Sequence, residues 1–156
     1  MKKIDGTINK TTVDFKDFKD YDGQVITISG YIHRIREMTG FSFVIVRTAT
    51  DLIQCVYAPE FSDYRWDETI TEESCVKITG KVVGSKDAKG NDRYEIQIHG
   101  IEVLSRPAEL LPIVINKKTL DGVMLNTILD LRTISLRNPR ERAIFRIQEG
   151  IQRGFR

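Results

Sequence analysis

The amino-acid sequence predicts an all-β fold: a small five-stranded barrel of the Greek-key type, followed by a linker and a helix. Five β-branched or alternating runs lie between Gln24 and Ser105, each bounded by glycine or polar turn residues. The first run is long and contains a glycine, and an irregular stretch separates the third run from the fourth. After Ser105 this alternation stops, and a helical pattern follows near the end of the 156-residue chain.

The first predicted strand is QVITISGYIHRIREM, in which Ile26, Ile28 and Ile32 share one parity and Ile35 has the other. A change of parity in a strand that contains Gly30 predicts a bulge or a sharp bend. Four further strands are predicted over FSFVIVRT, DLIQCVYA, SCVKITGKVVGS and RYEIQIHGIEVLS. The last two are joined by the polar segment KDAKGND, which is typical of a hairpin loop.

The acidic segment from Pro59 to about Thr71 separates the third strand from the fourth and predicts a short helix or an irregular crossover. A long bent first strand and a crossover at this point match the OB-fold, a five-stranded Greek-key barrel that commonly binds oligonucleotides across strands two and three. Five short strands also fit a small sandwich or an SH3-like barrel, so the pattern leaves these alternatives open.

The region after the barrel is predicted as a linker, RPAELLPIVINKKTLDG, and a helix that starts with Asn138 as N-cap and Pro139 as its first residue. The predicted apolar face of this helix consists of Ala143, Ile144, Ile147, Ile151 and Phe155. Because the pattern still runs at Arg156, we expect the front piece of a longer protein. The expected divisions are a barrel domain at 1–105, a hinge at 106–125 and the start of another domain at 126–156.

Composition excludes several classes of protein. No apolar run approaches the roughly 18 residues of a membrane span, and MKKIDGTINK lacks the hydrophobic segment of a secretory signal. Cys55 and Cys75 are too few for a disulfide framework, so we expect a cytoplasmic location. Residues 1–110 carry 15 Lys/Arg and 18 Asp/Glu, a net charge of −3, whereas residues 111–156 carry 9 and 4, a net charge of +5. Nucleic-acid binding by the barrel would therefore depend on a local patch.

Strand alternation also predicts which side chains face outward from the barrel. The expected core positions of strands two, three and five are Val44, Ile53 and Ile96. Phe43, Gln54 and Glu95 then face outward. An aromatic ring stacks on unpaired bases, and an amide and a carboxylate hydrogen-bond the edges of those bases. The cations available to neutralise phosphates or stack are Arg34, Arg36 and Arg47.

Ordinary structural roles fit the same residues. An outward phenylalanine often packs under a loop, Gln54 and Glu95 are typical surface residues, and Arg36 could form a surface ion pair. His33 and His99 have no partners at metal-ligand spacing, and the sequence contains no P-loop, nucleophile elbow or zinc motif. A free-standing module that binds single-stranded nucleic acid therefore stays open. A protein-interaction domain is supported only by the acidic crossover, and such a run is usually a solvated face.

The segment GYIHRIREMTGFSFVIVRTATDLIQCVYAP resembles the N-terminal anticodon-binding domain of class IIb aminoacyl-tRNA synthetases, the aspartyl, asparaginyl and lysyl group. The shared pattern falls on Gly30, Tyr31, Arg36, Gly40, Phe43, Arg47 and Gln54. LPIVIN and the residues from Leu125 onward are similar to the hinge and the opening of the catalytic domain in aspartyl-tRNA synthetases, especially the archaeal-type, non-discriminating subgroup. The chain departs from the family at Thr48, where Asp is usual, and at Asp51, where Gly is common.

This resemblance implies that Phe43 stacks on the middle uridine of an anticodon and that Gln54 hydrogen-bonds the same base. It also implies that Glu95 helps to recognise a first base of the guanine type. Arg36 would contact the anticodon bases or their backbone, and His33 would lie near the third base. The expected partner is therefore the anticodon loop of a tRNA of the aspartate type, with the asparagine type left open.

For a full-length parent, the resemblance implies an aspartate–tRNA ligase that uses ATP and magnesium and forms a homodimer through the helix that begins at Pro139. An asparaginyl- or lysyl-tRNA synthetase is the alternative. The fragment lacks the motifs that bind ATP and the amino acid, so we expect it to hold no cofactor and to be inactive alone. No catalytic residue, metal site or membrane association is expected in it.

Overall fold

The computed structural model describes residues 13, 15–67, 69–86 and 92–156. The chain divides into two units, one ending at Pro107 and the other beginning at Ala108. The segment MKKIDGTINK and residues 87–91 of the predicted hairpin loop lie outside the described residues. In the part of the chain that is described, no helix is long and apolar enough to cross a membrane.

The first unit is a closed five-stranded barrel. A 3₁₀ helix at Phe15–Tyr21 precedes the strands β1 (Val25–Met38), β2 (Phe41–Arg47), β3 (Leu52–Tyr57), β4 (Cys75–Lys86) and β5 (Asp92–Ser105). The strands follow the order β1-β2-β3-β5-β4, and β4 closes the barrel by pairing with β1. All neighbours are antiparallel except β3 and β5, which are parallel. The predicted OB-fold is therefore confirmed, and the sandwich and SH3-like alternatives are wrong.

Strand β1 is long because it pairs with two strands. Residues 25–31 pair with β4, and residues 31–38 pair with β2. Gly30 lies at this changeover, where a Cβ atom would come within 2.6 Å of the Arg47 carbonyl oxygen and 2.7 Å of a Val46 methyl group. The strand bends sharply enough between its two partners that only glycine fits at this position.

A β-bulge interrupts the second half of β1. Ile32 pairs with Val46 and Arg34 pairs with Ile45, so His33 is an extra residue without a partner on β2. The predicted parity break is therefore a bulge, and it lies at His33 rather than at the glycine. Before the bulge, the even-numbered Ile32 is fully buried. After it, the even-numbered Arg34 and Arg36 share the outward face with their β2 partners.

Inward residues of all five strands fill the barrel, as the alternation predicts. The most deeply buried members of this core include Phe18, Ile28, Ile32, Val44, Val46, Ile53, Cys55, Val76, Ile78, Val82, Ile96 and Ile98. The crossover between β3 and β4 is irregular: its described residues form turns and no helix. It is fixed to the barrel by Trp66, whose ring lies 5.3 Å from that of Tyr57 and whose backbone N–H donates to the Tyr57 hydroxyl at 3.1 Å.

The second unit contains α1 (Leu125–Asp130), α2 (Arg132–Ser135) and α3 (Pro139–Gly154). Asn138 caps α3 as predicted, because its side-chain oxygen accepts from the N–H groups of Arg140 (2.9 Å) and Glu141 (3.4 Å). Its amide nitrogen donates to the carbonyls of Ile115 (2.9 Å) and Lys117 (2.8 Å). The segment predicted as a linker thus forms no helix or strand, but it is tied to the start of α3.

Candidate nucleic-acid interface

The outward faces of β1, β2, β3 and β5 carry a set of side chains that we call the outer wall: Arg34, Arg36, Phe43, Gln54 and Glu95. The sequence placed Phe43, Gln54 and Glu95 on this face, and the structure confirms that placement, with all three half-buried. Their strand neighbours on the opposite parity are the fully buried Val44, Ile53 and Ile96. Each strand therefore presents an apolar side to the core and a polar or aromatic side to the exterior.

Phe43 lies at the centre of a row that crosses the wall. It pairs with Arg36 of β1 on one side and with Val56 of β3 on the other. The edge-to-face contact with Phe41, at a centroid distance of 5.2 Å and an interplanar angle of 88°, restrains its ring. A restrained, half-exposed ring beside an arginine is suited to stack on an unpaired base next to its phosphate.

A second row carries the hydrogen-bonding groups. Ile45 pairs with both Arg34 and Gln54, and the Gln54 amide nitrogen donates to a Glu95 carboxylate oxygen at 3.1 Å. This bond orients the amide so that its carbonyl oxygen and the Glu95 carboxylate remain as acceptors on one surface. Two neighbouring acceptors match the N–H groups on the edges of uracil and guanine.

A concavity of about 330 Å³ adjoins the second row. It is lined by Phe15, Ile45, Leu52, Gln54, Ser85, Lys86, Arg93, Tyr94 and Glu95. Lys86 and Arg93 bring positive charge next to the acceptor pair, and the sequence pattern did not indicate either of them. Their position on both sides of the predicted hairpin loop was the available signal, because loops beside a binding face commonly contact its ligand.

The two arginines of β1 on the outer wall differ in their exposure to solvent. Arg36 is exposed and Arg34 is half-buried. The surface ion pair considered for Arg36 is not found among the described residues, where the resolved ion pairs involve other side chains. Arg36 is therefore an exposed cation directly opposite Phe43 in the β1–β2 register.

Two predicted site residues, His33 and Arg47, are not on the outer wall. Only 4% of Arg47 and 7% of His33 is exposed. Arg47 forms a two-pronged ion pair with Glu73, with Nη1 to Oε1 at 2.6 Å and Nη2 to Oε2 at 2.8 Å. Its Nη1 also donates to His33 Nδ1 at 3.2 Å, and its guanidinium lies 5.6 Å from the centre of the Tyr31 ring. The expectation that both side chains are presented to RNA is corrected, because each is buried and bonded to other residues of the protein.

Glu73 completes this buried polar cluster, which we define as His33, Arg47 and Glu73. The sequence suggested that the acidic crossover is a solvated face, yet Glu73 is 7% exposed while its neighbour Glu72 is exposed. Its φ of 67° is in the left-handed region, which costs about 1–2 kcal/mol for a residue with a side chain. Nothing in the sequence distinguishes Glu73 from Glu72, because its partner lies 26 residues away on β2.

Burial, together with the neighbouring Arg47 charge, lowers the pKa of His33, and the Glu73 carboxylate offsets part of this effect. His33 is consequently neutral near pH 7. Because arginine has only donors, the Nδ1 atom that contacts Arg47 must accept, which places the ring proton on Nε2. The histidine therefore contributes an acceptor to the cluster and no charge.

Within the described residues, no group of three or more His, Cys, Asp or Glu side chains is arranged to hold an ion. The magnesium implied for a full-length parent therefore has no fitting site among these residues.

Comparisons with known proteins agree with this geometry. Residues 26–104 match the family model described as OB-fold nucleic acid binding domain. The aspartate–tRNA(Asp/Asn) ligase of Archaeoglobus fulgidus is 31% identical over 148 residues, which cover 93% of this chain and 33% of the ligase. The chain thus spans about a third of the length of this curated relative, and the resemblance inferred from its sequence is confirmed.

Solved structures share the fold. The aspartyl-tRNA synthetase from Entamoeba histolytica aligns with a TM-score of 0.71 at 22% identity, over 99% of this chain and 40% of its own. The asparaginyl-tRNA synthetase from Pyrococcus horikoshii, complexed with asparaginyl-adenylate, aligns with a TM-score of 0.70 at 22% identity, over 88% of this chain and 31% of its own. At these identities, the two alignments establish the architecture alone.

Proposed function

Because the chain belongs to the family of OB-fold nucleic acid binding domains, we propose that it binds the anticodon loop of a tRNA as the N-terminal part of an aspartate–tRNA ligase. The outer wall carries this proposal. It places a half-exposed ring, an amide–carboxylate pair and two arginines on one face of the barrel. The relatives named as aspartate–tRNA(Asp/Asn) ligases support the choice of RNA.

Each wall residue has a defined task in this proposal. The Phe43 ring stacks on the middle base of the anticodon, and Gln54 accepts a hydrogen bond from its N–H edge. Glu95 accepts from the N–H groups of a guanine in the first position. Arg34 and Arg36 neutralise phosphates on either side of the stacked base. Together with Lys86 and Arg93 beside the acceptor pair, the two arginines supply a local cationic patch on an acidic barrel.

The binding proposal is tested with a stem-loop RNA that carries a G-U-C anticodon. We expect Phe43→Ala to weaken binding by about 1–3 kcal/mol, which corresponds to roughly 5- to 150-fold in Kd. Leu104→Ala, which truncates an exposed apolar side chain on β5 outside the outer wall, is the control and should leave Kd unchanged. Equal affinity for Phe43→Ala, or for an RNA whose middle uridine is replaced by adenosine, would contradict the proposal.

The ligase activity belongs to the whole protein. In the full-length parent, we infer an ATP- and magnesium-dependent charging reaction with aspartate, and the anticodon contacts select the tRNA that is charged. A charging assay with the full-length protein tests this inference by comparing aspartate with asparagine and tRNA(Asp) with tRNA(Asn). Absence of aspartate transfer to either tRNA would contradict it.

The apolar face of α3 supports the dimer implied for the parent. Ile144, Ile147 and Ile151 lie at helical spacing and are 50%, 65% and 54% exposed. An exposed stripe of this kind usually marks an interface, and we propose a second copy of the full-length protein as its partner. Sedimentation of the full-length protein with Ile147→Asp should show monomers, whereas an unchanged dimer would contradict this assignment.

A further inference from the structure

We propose that the buried polar cluster positions the outer wall: His33, Arg47 and Glu73 hold the β1 bulge that turns Arg34 and Arg36 toward RNA. This inference rests on the proposed function, since it concerns how the same surface is built. None of the three side chains needs to touch RNA. They are positioning residues, and their effect on binding passes through the two arginines.

The bulge decides which face of β1 carries the arginines. Before it, Ile28 and Ile32 point into the core. In a regular strand, the same parity would continue inward through Arg34 and Arg36. The extra residue His33 reverses the parity, so that Arg34 pairs with Ile45 and Arg36 with Phe43 on the outward face. Without the bulge, two charged side chains would point into an apolar core.

The backbone of the bulge is held by the end of the crossover. The Ile32 N–H donates to the Ser74 carbonyl at 2.9 Å, and the Glu73 N–H donates to the Ile32 carbonyl at 2.7 Å. Glu73 adopts its left-handed conformation at this point. Strained residues of this kind persist only where the surroundings fix them. The crossover therefore acts as a local partner strand for β1 next to the extra residue.

The side chains of the cluster lock this arrangement. The Arg47 guanidinium bonds Glu73 of the crossover and His33 of the bulge at the same time, through distances of 2.6, 2.8 and 3.2 Å. It thereby links β2, the crossover and β1 in one buried contact. The fork of arginine can make these bonds together, whereas the single ammonium group of lysine lacks the planar geometry.

The experiment measures binding of the same G-U-C stem-loop to the 156-residue chain as a function of salt concentration. Glu73→Gln removes the carboxylate charge with little change in volume. The salt slope is the slope of log K against the logarithm of the salt concentration. If Arg34 and Arg36 each contact one phosphate, we expect Glu73→Gln to lower this slope by up to about 1.4. Binding at 0.15 M salt should weaken on the order of tenfold. The matched control is Glu102→Gln, which removes an exposed ion pair with Lys77 on β4 and β5. It should behave as wild type.

A double-mutant cycle separates positioning from general loss of stability. In a chain that already carries Arg34→Gln and Arg36→Gln, Glu73→Gln should cause little further loss of affinity, because the contacts it supports are already absent. Arg47→Lys serves as a second variant if Glu73→Gln does not fold, and the same non-additivity is expected for it. All affinities refer to the folded fraction, which is measured by urea unfolding.

Failure of this inference can be distinguished from failure of the proposed function. If Phe43→Ala weakens binding but Glu73→Gln and Arg47→Lys keep the wild-type Kd and salt slope, the positioning role is wrong and RNA binding stands. Full additivity with the arginine substitutions likewise overturns the positioning role. If Phe43→Ala leaves binding unchanged, the wall is not the RNA site and the proposed function itself fails.

Discussion

Phe43 and Arg47 lie four residues apart on the same face of β2, yet they differ in how far they are exposed to solvent. Phe43 is half-buried on the outer wall, whereas Arg47 is 4% exposed and bonded to Glu73. Alternation gives both side chains the same face of the strand. What differs is the contact made at each end of β2: Glu73 of the crossover bonds Arg47, whereas Phe43 stays partly exposed among the described residues. Parity assigns a side, and packing decides whether that side meets solvent.

The two regions also differ in what their polar groups contribute. The described side-chain polar atoms that are fully buried all have hydrogen-bond partners, and the cluster is the most charged example. The wall keeps its acceptors and guanidinium groups at least partly accessible to solvent. The cluster should therefore dominate stability and the wall should dominate binding. Four substitutions test this contrast.

The largest effect is expected for Glu73→Ala. It leaves the Arg47 guanidinium buried without its counter-ion, and breaking such a pair costs about 3–5 kcal/mol of the free energy of unfolding. Urea unfolding of the barrel measures the loss. Replacing both partners, as Glu73→Leu with Arg47→Met, should recover most of it, because no charge remains buried. A loss below about 1 kcal/mol for the single variant would show that the pair is not buried in solution.

Asn138 is a buried polar group of the second unit, and its side-chain amide makes four hydrogen bonds, so it too should contribute to stability. Asn138→Ala removes the cap of α3 and leaves the carbonyls of Ile115 and Lys117 without their donor, so we expect a loss of about 2–4 kcal/mol. Limited trypsin digestion at Lys117 and Lys118 should accelerate. Asn138→Asp keeps the cap acceptor but not the amide donors, so its cleavage rate should lie between those of the wild type and Asn138→Ala. Equal cleavage rates for all three chains would disprove this role.

On the wall, Glu95→Gln should affect binding and leave stability nearly unchanged. It converts a charged acceptor into a neutral amide, and hydrogen bonds to charged groups are worth about 1.5–3 kcal/mol. We expect that loss with the G-U-C stem-loop and a smaller one when the first base is adenosine, which lacks the paired N1–H and N2–H donors of guanine. The free energy of unfolding should change by less than about 0.5 kcal/mol. The same loss with both RNAs would argue against recognition of guanine by Glu95.

The smallest effect concerns the pH dependence of stability through His33. Its pKa is lowered in the folded chain, chiefly by burial, from the ordinary value of 6.5. As the pH falls below 6.5, the unfolded chain binds a proton at this residue before the folded chain does. The free energy of unfolding should therefore decrease with acidification, and the contribution should be constant above 6.5.

His33→Gln supplies the comparison for this measurement, because glutamine offers an acceptor for Arg47 and does not titrate in this range. Urea unfolding of both chains over a series of pH values gives the difference in slope. The wild-type chain should lose more stability on acidification than His33→Gln. Parallel curves would show that His33 takes up its proton equally well in the folded and unfolded states.

Much of the fold and part of the wall could be predicted from local pattern. Alternation identified the core positions Val44, Ile53 and Ile96 and the outward side chains beside them, because a strand repeats every two residues whatever its neighbours. The start of α3 at Pro139, with Asn138 as its cap, was equally predictable, since a cap and a proline act within a few residues. The position of the bulge was not. A parity break shows that an extra residue exists, but hydrogen bonds from the distant crossover fix which residue it is.

By itself, the sequence determined the strands, their inward and outward faces and the ring, amide and carboxylate of the outer wall, because these depend on short-range periodicity. Only the tertiary structure decided that Arg47 and Glu73 are buried together and that His33 faces them. A charge leaves water only when an opposite charge with suitable geometry is brought against it. That partner comes from 26 residues along the chain, beyond the reach of any local pattern.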